Sequence, residues 1–262
     1  MSQSLVRALH LLDLLAAGTG TLGALAEATG SHKSTVLRLL RDLEGAGFVH
    51  RAPDHRYVLG PQLYRLADVA LEHVDVLRAA APRLRDLRDR VGQTVHVAVL
   101  DGHGGRYRAT YVDKLEPRDA PVRMASRVGS EAVLHCTAVG KVLLAGLSPA
   151  DRAEAVATLD LVRRTGRTLV DPDRLLAELQ DVADRGWAQD HAENETFVNC
   201  VAAPVTGPHG EVLAAVSLSV PDVLLPHEAV LDLVPPLLSA TADIARDCGF
   251  RPTSPPPGGE LP

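Results

Sequence analysis

Cysteine is scarce in this chain. Cys136, Cys200 and Cys248 form an odd, widely spaced set of three in 262 residues, with no CxxC pair. That argues against a disulfide framework and a zinc ribbon, and no metal or other cofactor is expected. Long apolar runs are missing too. None reaches the ~18 residues a membrane span needs, and the leanest, Glu211 to Pro226, carries Asp222 and two prolines. No basic patch precedes an apolar block at the N-terminus, so no signal peptide is expected and the reading is a soluble cytoplasmic protein without a membrane partner. Excess positive charge is absent. The formal net charge is −6 and the pI near 6.0, which gives no global sign of a nucleic-acid binder. Catalytic signatures are missing as well. There is no G-x-S-x-G and no H-E-x-x-H. GHGG at 102–105 lacks the dinucleotide-binding spacing, and AVGK at 138–141 lacks the earlier glycine and following Ser/Thr of a phosphate loop.

What is present is enough apolar material, 46% of the residues, for one large core or two smaller ones. The first ~60 residues read as one unit. Ser4 to Ala17 places Leu5, Ala8, Leu9, Leu12 and Leu15 at helical spacing, and Val6, Leu11 and Leu14 widen that face. A face this wide suggests burial on two sides, by its own domain and by a partner. Thr21 can cap a short helix, Leu22 to Thr29, and Ser31 can cap a third, His32 to Glu44. Val36, Leu39, Leu40 and Leu43 share one face of that third helix, and Lys33, Ser34, Arg38 and Arg41 fall mostly on the other. Phe48 to Arg51 and Arg56 to Leu59 are strand-like runs joined by a turn at Ala52-Pro53-Asp54-His55. Three helices followed by a hairpin form the winged helix-turn-helix pattern, expected over 1–60. Ser31, Lys33, Ser34, Thr35 and Arg38 are then candidates to contact double-stranded operator DNA, with Arg51 and Arg56 in the wing. The bland alternative is a solvated helix face on a protein-interaction module.

Helical pattern resumes as a linker helix over 61–74. Asp75 to Val91 follows, with Pro82 as a kink or break. The remainder, 75–250, reads as α+β. Strands are expected at Thr94 to Leu100, Arg106 to Lys114, Pro121 to Ser126, Trp187 to Asp190, Asn199 to Val205 and Val212 to Val220. Helices are expected at Thr137 to Ala145, Pro149 to Thr158, Asp171 to Arg185 and Pro226 to Cys248, the last interrupted early by Pro235-Pro236. The Pro/Gly-rich end, 251–262, reads as a disordered tail.

Three groups in this second part carry polar chemistry. The helix start at Thr137-Ala138-Val139-Gly140 is built of small residues, where a ligand can approach backbone N–H groups. Spacing alone favours an ordinary capped helix there. Asp190 and Cys200 lie on neighbouring strand-like runs, and an unpaired strand cysteine is usually a small core hydrophobe. Ser217 and Ser219 share one strand face by period two, and that face is either solvent side or the wall of a ligand cup. A Cys–His nucleophile pair from Cys200 with His96, His135 or His191 is disfavoured, because Cys200 is flanked by small apolar residues. His96, alternating with Val95, Val97 and Val99, reads as a satisfied sheet histidine.

The run SLVRALHLLDLLAAGTGTLGALAEATGSHKSTVLRLLRDLEGAGFVHRAPDHRYVLGPQL resembles the N-terminal domain of IclR-type transcriptional regulators. The resemblance continues through VGQTVHVAVLDG, YVDKLEPRDAPVRMASRVGSEAVLHCTAVGKVLLA, AQDHAENETFVNCVAAPV and VLAAVSLSV, and covers about residues 4 to 248. It implies an α+β chain: a winged helix-turn-helix domain, a linker helix and a GAF-like effector domain with a central antiparallel sheet. It also implies a homodimer, often paired into a tetramer, and no enzyme. A small acid would sit against the backbone of Ala138, Val139 and Gly140, beside Asp190, Cys200, Ser217 and Ser219, with Met124 and Leu134 as apolar wall. Such an effector would shift operator affinity through the linker. The sequence departs from many members in having His191 where a second acidic residue commonly follows Asp190.

Charge is unevenly divided. Residues 1–60 carry six Lys/Arg against five Asp/Glu, and five of those six lie between Lys33 and Arg56. The acidity belongs to the rest of the chain.

Overall fold

The computed structural model describes residues 3–66, 75–120, 122 and 124–248. They divide into two compact units with the boundary after Asp75.

The first unit is built from α1 (Gln3–Ala16), α2 (Leu22–Ala28), α3 (Lys33–Gly45) and a hairpin of β1 (Val49–Arg51) and β2 (Tyr57–Leu59). Leu11 and Leu15 of α1 enter a core with Leu25, Val36, Leu40, Val49 and Tyr57. Leu5, Val6 and Leu9 stay half or more exposed. Thr21 caps α2 by accepting from Ala24 N. Ser31 does not cap α3. Its hydroxyl donates to Thr29 O at 3.2 Å, and the helix starts one residue later, with His32 in the cap position and no side-chain cap bond. The hairpin is held to the α1–α2 loop, where Tyr57 N donates to Gly20 O at 2.8 Å. Gly20 is needed for that approach, since a Cβ there would meet Tyr57 O at 2.8 Å. Residues 62–66 are helical. The rest of the expected linker helix, 67–74, and the expected tail, 251–262, lie outside the described residues.

The second unit opens with α4 (Asp75–Val91), which runs through Pro82 without a break. Its sheet holds six strands in the order β5-β4-β3-β8-β7-β6, all antiparallel. They are β3 (Thr94–His103), β4 (Arg106–Leu115), β5 (Glu131–Ala132), β6 (Ala188–His191), β7 (Val198–Thr206) and β8 (Val212–Pro221). Pro121 to Ser126 is not a strand in its described residues, Val122 and Met124–Ser126. The physical reason is Lys114, whose Nζ donates to Met124 O and Ser126 O at 2.9 and 2.8 Å and so satisfies carbonyls a strand would offer to a neighbour. The edge position beside β4 is taken by Glu131–Ala132 instead.

One sheet face is covered by α5 (Ala138–Ala145), α6 (Pro149–Thr158) and α7 (Pro172–Arg185), capped by Thr137, Ser148 and Asp171. Alanines at 98, 109, 188, 202 and 215 supply the sheet side of that core. Their small size lets α5, buried on every side, lie close to the strands. The expected last helix is two: α8 (His227–Leu231) and α9 (Val234–Asp247), the latter packed on β7 and β8. Pro235-Pro236 sit in the first turn of α9, where a missing N–H leaves no helical bond unmade.

Candidate functional site

Strand register builds the polar cup of the second unit. Asp190 on β6 pairs with Cys200 on β7, and Cys200 pairs with Ser219 on β8. One row of the ladder thus carries a carboxyl, a thiol and a hydroxyl on one face. The next row pairs Ser217 with His96 of β3. The start of α5 closes the cup over this face with Thr137, Ala138 and Val139. Met124 and Ser126 come from the loop that Lys114 holds. The cavity is small, about 30 Å³, room for a water molecule or two.

The cup side chains are linked. His96 Nε2 lies 2.7 Å from Ser126 Oγ and its Nδ1 lies 3.2 Å from Ser219 Oγ. Cys200 Sγ donates to Ser219 Oγ at 3.2 Å. Burial, with Lys114 nearby, lowers the His96 pKa to about 4, so the ring is neutral near pH 7. Burial pushes the Cys200 thiol up, which removes the thiolate a nucleophile needs. Asp190 is 2% exposed, and burial pushes its carboxyl up to about 7 against two backbone N–H bonds. Those bonds come from Glu193 N at 2.7 Å and Asn194 N at 3.3 Å. No lysine or arginine lines the cup among the described residues.

Of the sequence-predicted effector residues, the structure brings together Met124, Ala138, Val139, Asp190, Cys200, Ser217 and Ser219. It leaves out Leu134 and Gly140. Leu134 is 5% exposed in the core under α5. Gly140 N is occupied by the Thr137 Oγ1 cap at 3.1 Å, so at this helix start the N–H groups left without a partner among the described residues are those of Ala138 and Val139. Sequence reasoning missed Tyr111, Ser126, Asn194, Glu195 and Val198, and gave His96 only a sheet role. Only His96 had a signal, since it faces the same way as Ser217 once β3 and β8 pair.

In the first unit, Ser31, Lys33, Ser34, Thr35 and Arg38 gather at the start of α3. Lys33, Ser34 and Arg38 are exposed, while Ser31 and Thr35 are half-buried. Arg38 pairs with Asp42 at 3.8 Å, but both side chains are more than half exposed, so the pair restrains it little. The wing arginines differ. Arg56 Nη2 donates to Gly18 O at 2.8 Å, tying the hairpin to the end of α1. Arg51 keeps its guanidinium 5.9 Å from the Tyr57 ring.

A helix-turn-helix unit with an exposed polar third helix, followed by a separate unit with an enclosed polar cup, defines a two-domain DNA-binding regulator. The chain matches the model described as the IclR helix-turn-helix domain over residues 4–53. It matches the one described as the bacterial transcriptional regulator IclR C-terminal over 68–246. It is 34% identical over 220 residues to the HTH-type transcriptional regulator XynR of Escherichia coli, covering 83% of this chain and 85% of that one. It is 32% identical over 256 residues to the DNA-binding transcriptional repressor YiaJ of the same organism, covering 95% and 89%. An IclR homologue from Microbacterium hydrocarbonoxydans, solved with 4-hydroxybenzoate, has the same fold: TM-score 0.82, 24% identity, 94% of this chain and 99% of that one covered. The chain belongs to the IclR family of DNA-binding transcriptional regulators. Among the described residues no helix is long and apolar enough to cross a membrane, and no group of three or more His, Cys, Asp or Glu is placed to hold a metal.

Proposed function

We propose that this regulator is a cytoplasmic repressor whose operator affinity is set by a small carboxylic, 2-oxo or sugar acid bound in the cup. The observation that carries the reading is the row Asp190–Cys200–Ser219 lying beneath the free N–H groups of Ala138 and Val139. The ligand carboxylate docks on those N–H groups. Asp190, Ser217 and Ser219 take hydroxyl or carbonyl groups further along, and Met124 supplies apolar wall. With Asp190 and Glu195 in the lining and no cation, a second carboxylate is unfavourable, so a mono-acid is preferred. The 4-hydroxybenzoate complex of a protein with this fold supports a ligand-taking domain. YiaJ's description supports repression. The cup is narrow, so its lining opens to admit an organic acid.

Effector binding acts as a population shift. The acid favours one arrangement of the subunits by its differential affinity, the linker at 61–74 transmits it, and the spacing of two recognition helices changes. The exposed Leu5, Val6 and Leu9 of α1 support a dimer with a second copy, and dimers can pair into a tetramer. Chemistry at the cup is binding, since the Cys200 thiol bonds to a serine and not to a base.

The test is a mobility-shift assay on the promoter region beside the gene, run across salt and a panel of mono-acids, with calorimetry on wild type and Asp190→Ala. Salt-sensitive, sequence-specific retardation that one acid weakens is expected. Absence of retardation under all conditions overturns the regulator reading. Unchanged affinity in Asp190→Ala overturns the role of Asp190.

A further inference from the structure

A second cavity lies along the β6 edge of the sheet, separate from the cup. It is a groove of about 580 Å³ between β6, the 163–171 segment and the start of α7. Alternation along β6 sends Asp190 to the cup and Gln189 and His191 to the groove. Lys141, buried on α5, reaches it from beneath and is spent there. Its Nζ lies 2.5 Å from Glu193 Oε1 and donates to Gln189 O at 3.0 Å.

Two features point to a ligand. First, Glu193 lines the groove, is 6% exposed, and its Oε2 is buried without a hydrogen-bond partner; Gln189 Oε1 is in the same condition. Buried acceptors left unpaired are costly, and each wants an O–H or N–H donor. Second, the charges do not cancel. Lys141 is neutralised by Glu193, and Glu178 is held by Arg185 at 2.9 Å. Arg163, Arg167 and Arg174 then face Asp171 alone, one of whose oxygens already caps α7 through Arg174 N. The rim is left cationic while the floor is left short of donors.

The geometry points to a second small-molecule site in this groove, for a hydroxylated anion: a sugar acid or sugar phosphate whose hydroxyls donate to Glu193 Oε2 and Gln189 Oε1 while its anionic group meets the Arg163–Arg167–Arg174 rim. A neutral sugar satisfies the floor but not the rim, and a bare anion the reverse. The site is distinct from the cup, because none of these groove residues lines the cup.

Calorimetric titration of the whole chain tests it, with gluconate, glucose 6-phosphate, glucose and acetate as probes. The variants are Arg167→Glu/Arg174→Glu, both exposed, and Gln189→Leu. Wild type is expected to take gluconate or glucose 6-phosphate at one site more than the doubly reversed variant. Glucose and acetate should fill that extra site at least about tenfold more weakly. Binding of only one of the two anionic sugars identifies carboxylate or phosphate as the preferred group. Gln189→Leu, which keeps the rim charge, is expected to weaken the extra site at least about threefold. It carries the decision if the reversed variant does not fold. The proposal is overturned if wild type and the reversed variant bind with the same stoichiometry and affinity, if glucose or acetate fills the site as well as the anionic sugars, or if no probe binds below about 10 mM.

Discussion

Glu193 N donates to Asp190 Oδ1 at 2.7 Å, so the residue at the base of the cup and the residue beneath the edge groove close one turn. Ala192 between them adopts φ 53, a left-handed conformation that a non-glycine residue holds only when its surroundings enforce it. Thr165 and Thr168 do so by donating to the carbonyls of Ala192 and Glu193 at 2.7 Å each.

Asp190 makes stability depend on pH. Burial holds its folded pKa at about 7 despite the N–H bond from Glu193, with the Glu193 carboxylate raising it and Lys141 opposing, against about 3.9 unfolded. Between those values the folded state binds the extra proton. The contribution of this carboxyl is therefore favourable below about pH 4 and is lost as pH rises through about 7. Glu193 shifts the same way, while buried His96 shifts oppositely at lower pH, so the variant difference is the readout. Asp190→Asn should gain stability relative to wild type between about pH 5.5 and pH 8, measured by urea unfolding. A difference that stays constant across that range would refute the assignment.

The Lys141–Glu193 pair predicts an asymmetric mutant cycle. Lys141 is 1% exposed and Glu193 6%. Lys141→Met leaves a buried carboxylate alone and should destabilise by about 3–5 kcal/mol. Glu193→Gln in the same chain removes that charge, so the double variant should recover much of the loss. Thermal and chemical denaturation of the four proteins gives the cycle, and additive losses would show that the pair is not coupled.

Gly140 predicts a steric effect. A Cβ at this position would meet Leu134 O at 2.5 Å, Leu134 Cα at 2.6 Å and Val133 O at 2.7 Å, all backbone. Gly140→Ala should therefore destabilise by about 1–3 kcal/mol, although alanine is the better helix former. A melting temperature equal to or above wild type would contradict the close approach.

Much of this was legible in the sequence, and the gaps have physical causes. Period two put Ser217 and Ser219 on one face, but only the register Cys200–Ser219 and Asp190–Cys200 makes that face a cup. Register is a long-range property, so His96 was invisible as lining until β3 was paired with β8, and Tyr111 until β4 was paired with β3. Pro121 to Ser126 failed as a strand because a side chain 12 residues away, Lys114, takes the Ser126 carbonyl. Lys141 drew notice only as part of an incomplete phosphate loop. Its burial against Glu193, 52 residues on, leaves no local pattern. Gly140 read as a place for a ligand, whereas it makes room for Leu134.

The DNA-facing residues should separate into two kinds. Lys33 is exposed at the start of α3 and makes no side-chain hydrogen bond or ion pair among the described residues, so its charge is free for a phosphate. Lys33→Ala should weaken operator binding about equally for all sequences and reduce the salt slope by about 0.9 per subunit. Arg56 already has a structural task, since its guanidinium holds Gly18 O beside Gly20, where the hairpin meets the α1–α2 loop. Arg56→Ala should lower the melting temperature of the first unit. Its smaller effect on binding should come from a loosened wing, so the salt slope should stay near that of wild type. Mobility shifts across a salt series, beside thermal melts of each variant, distinguish the two. If Arg56→Ala lowers the slope as Lys33→Ala does and leaves the melt untouched, Arg56 is a phosphate contact, and its bond to Gly18 gives way when DNA is bound.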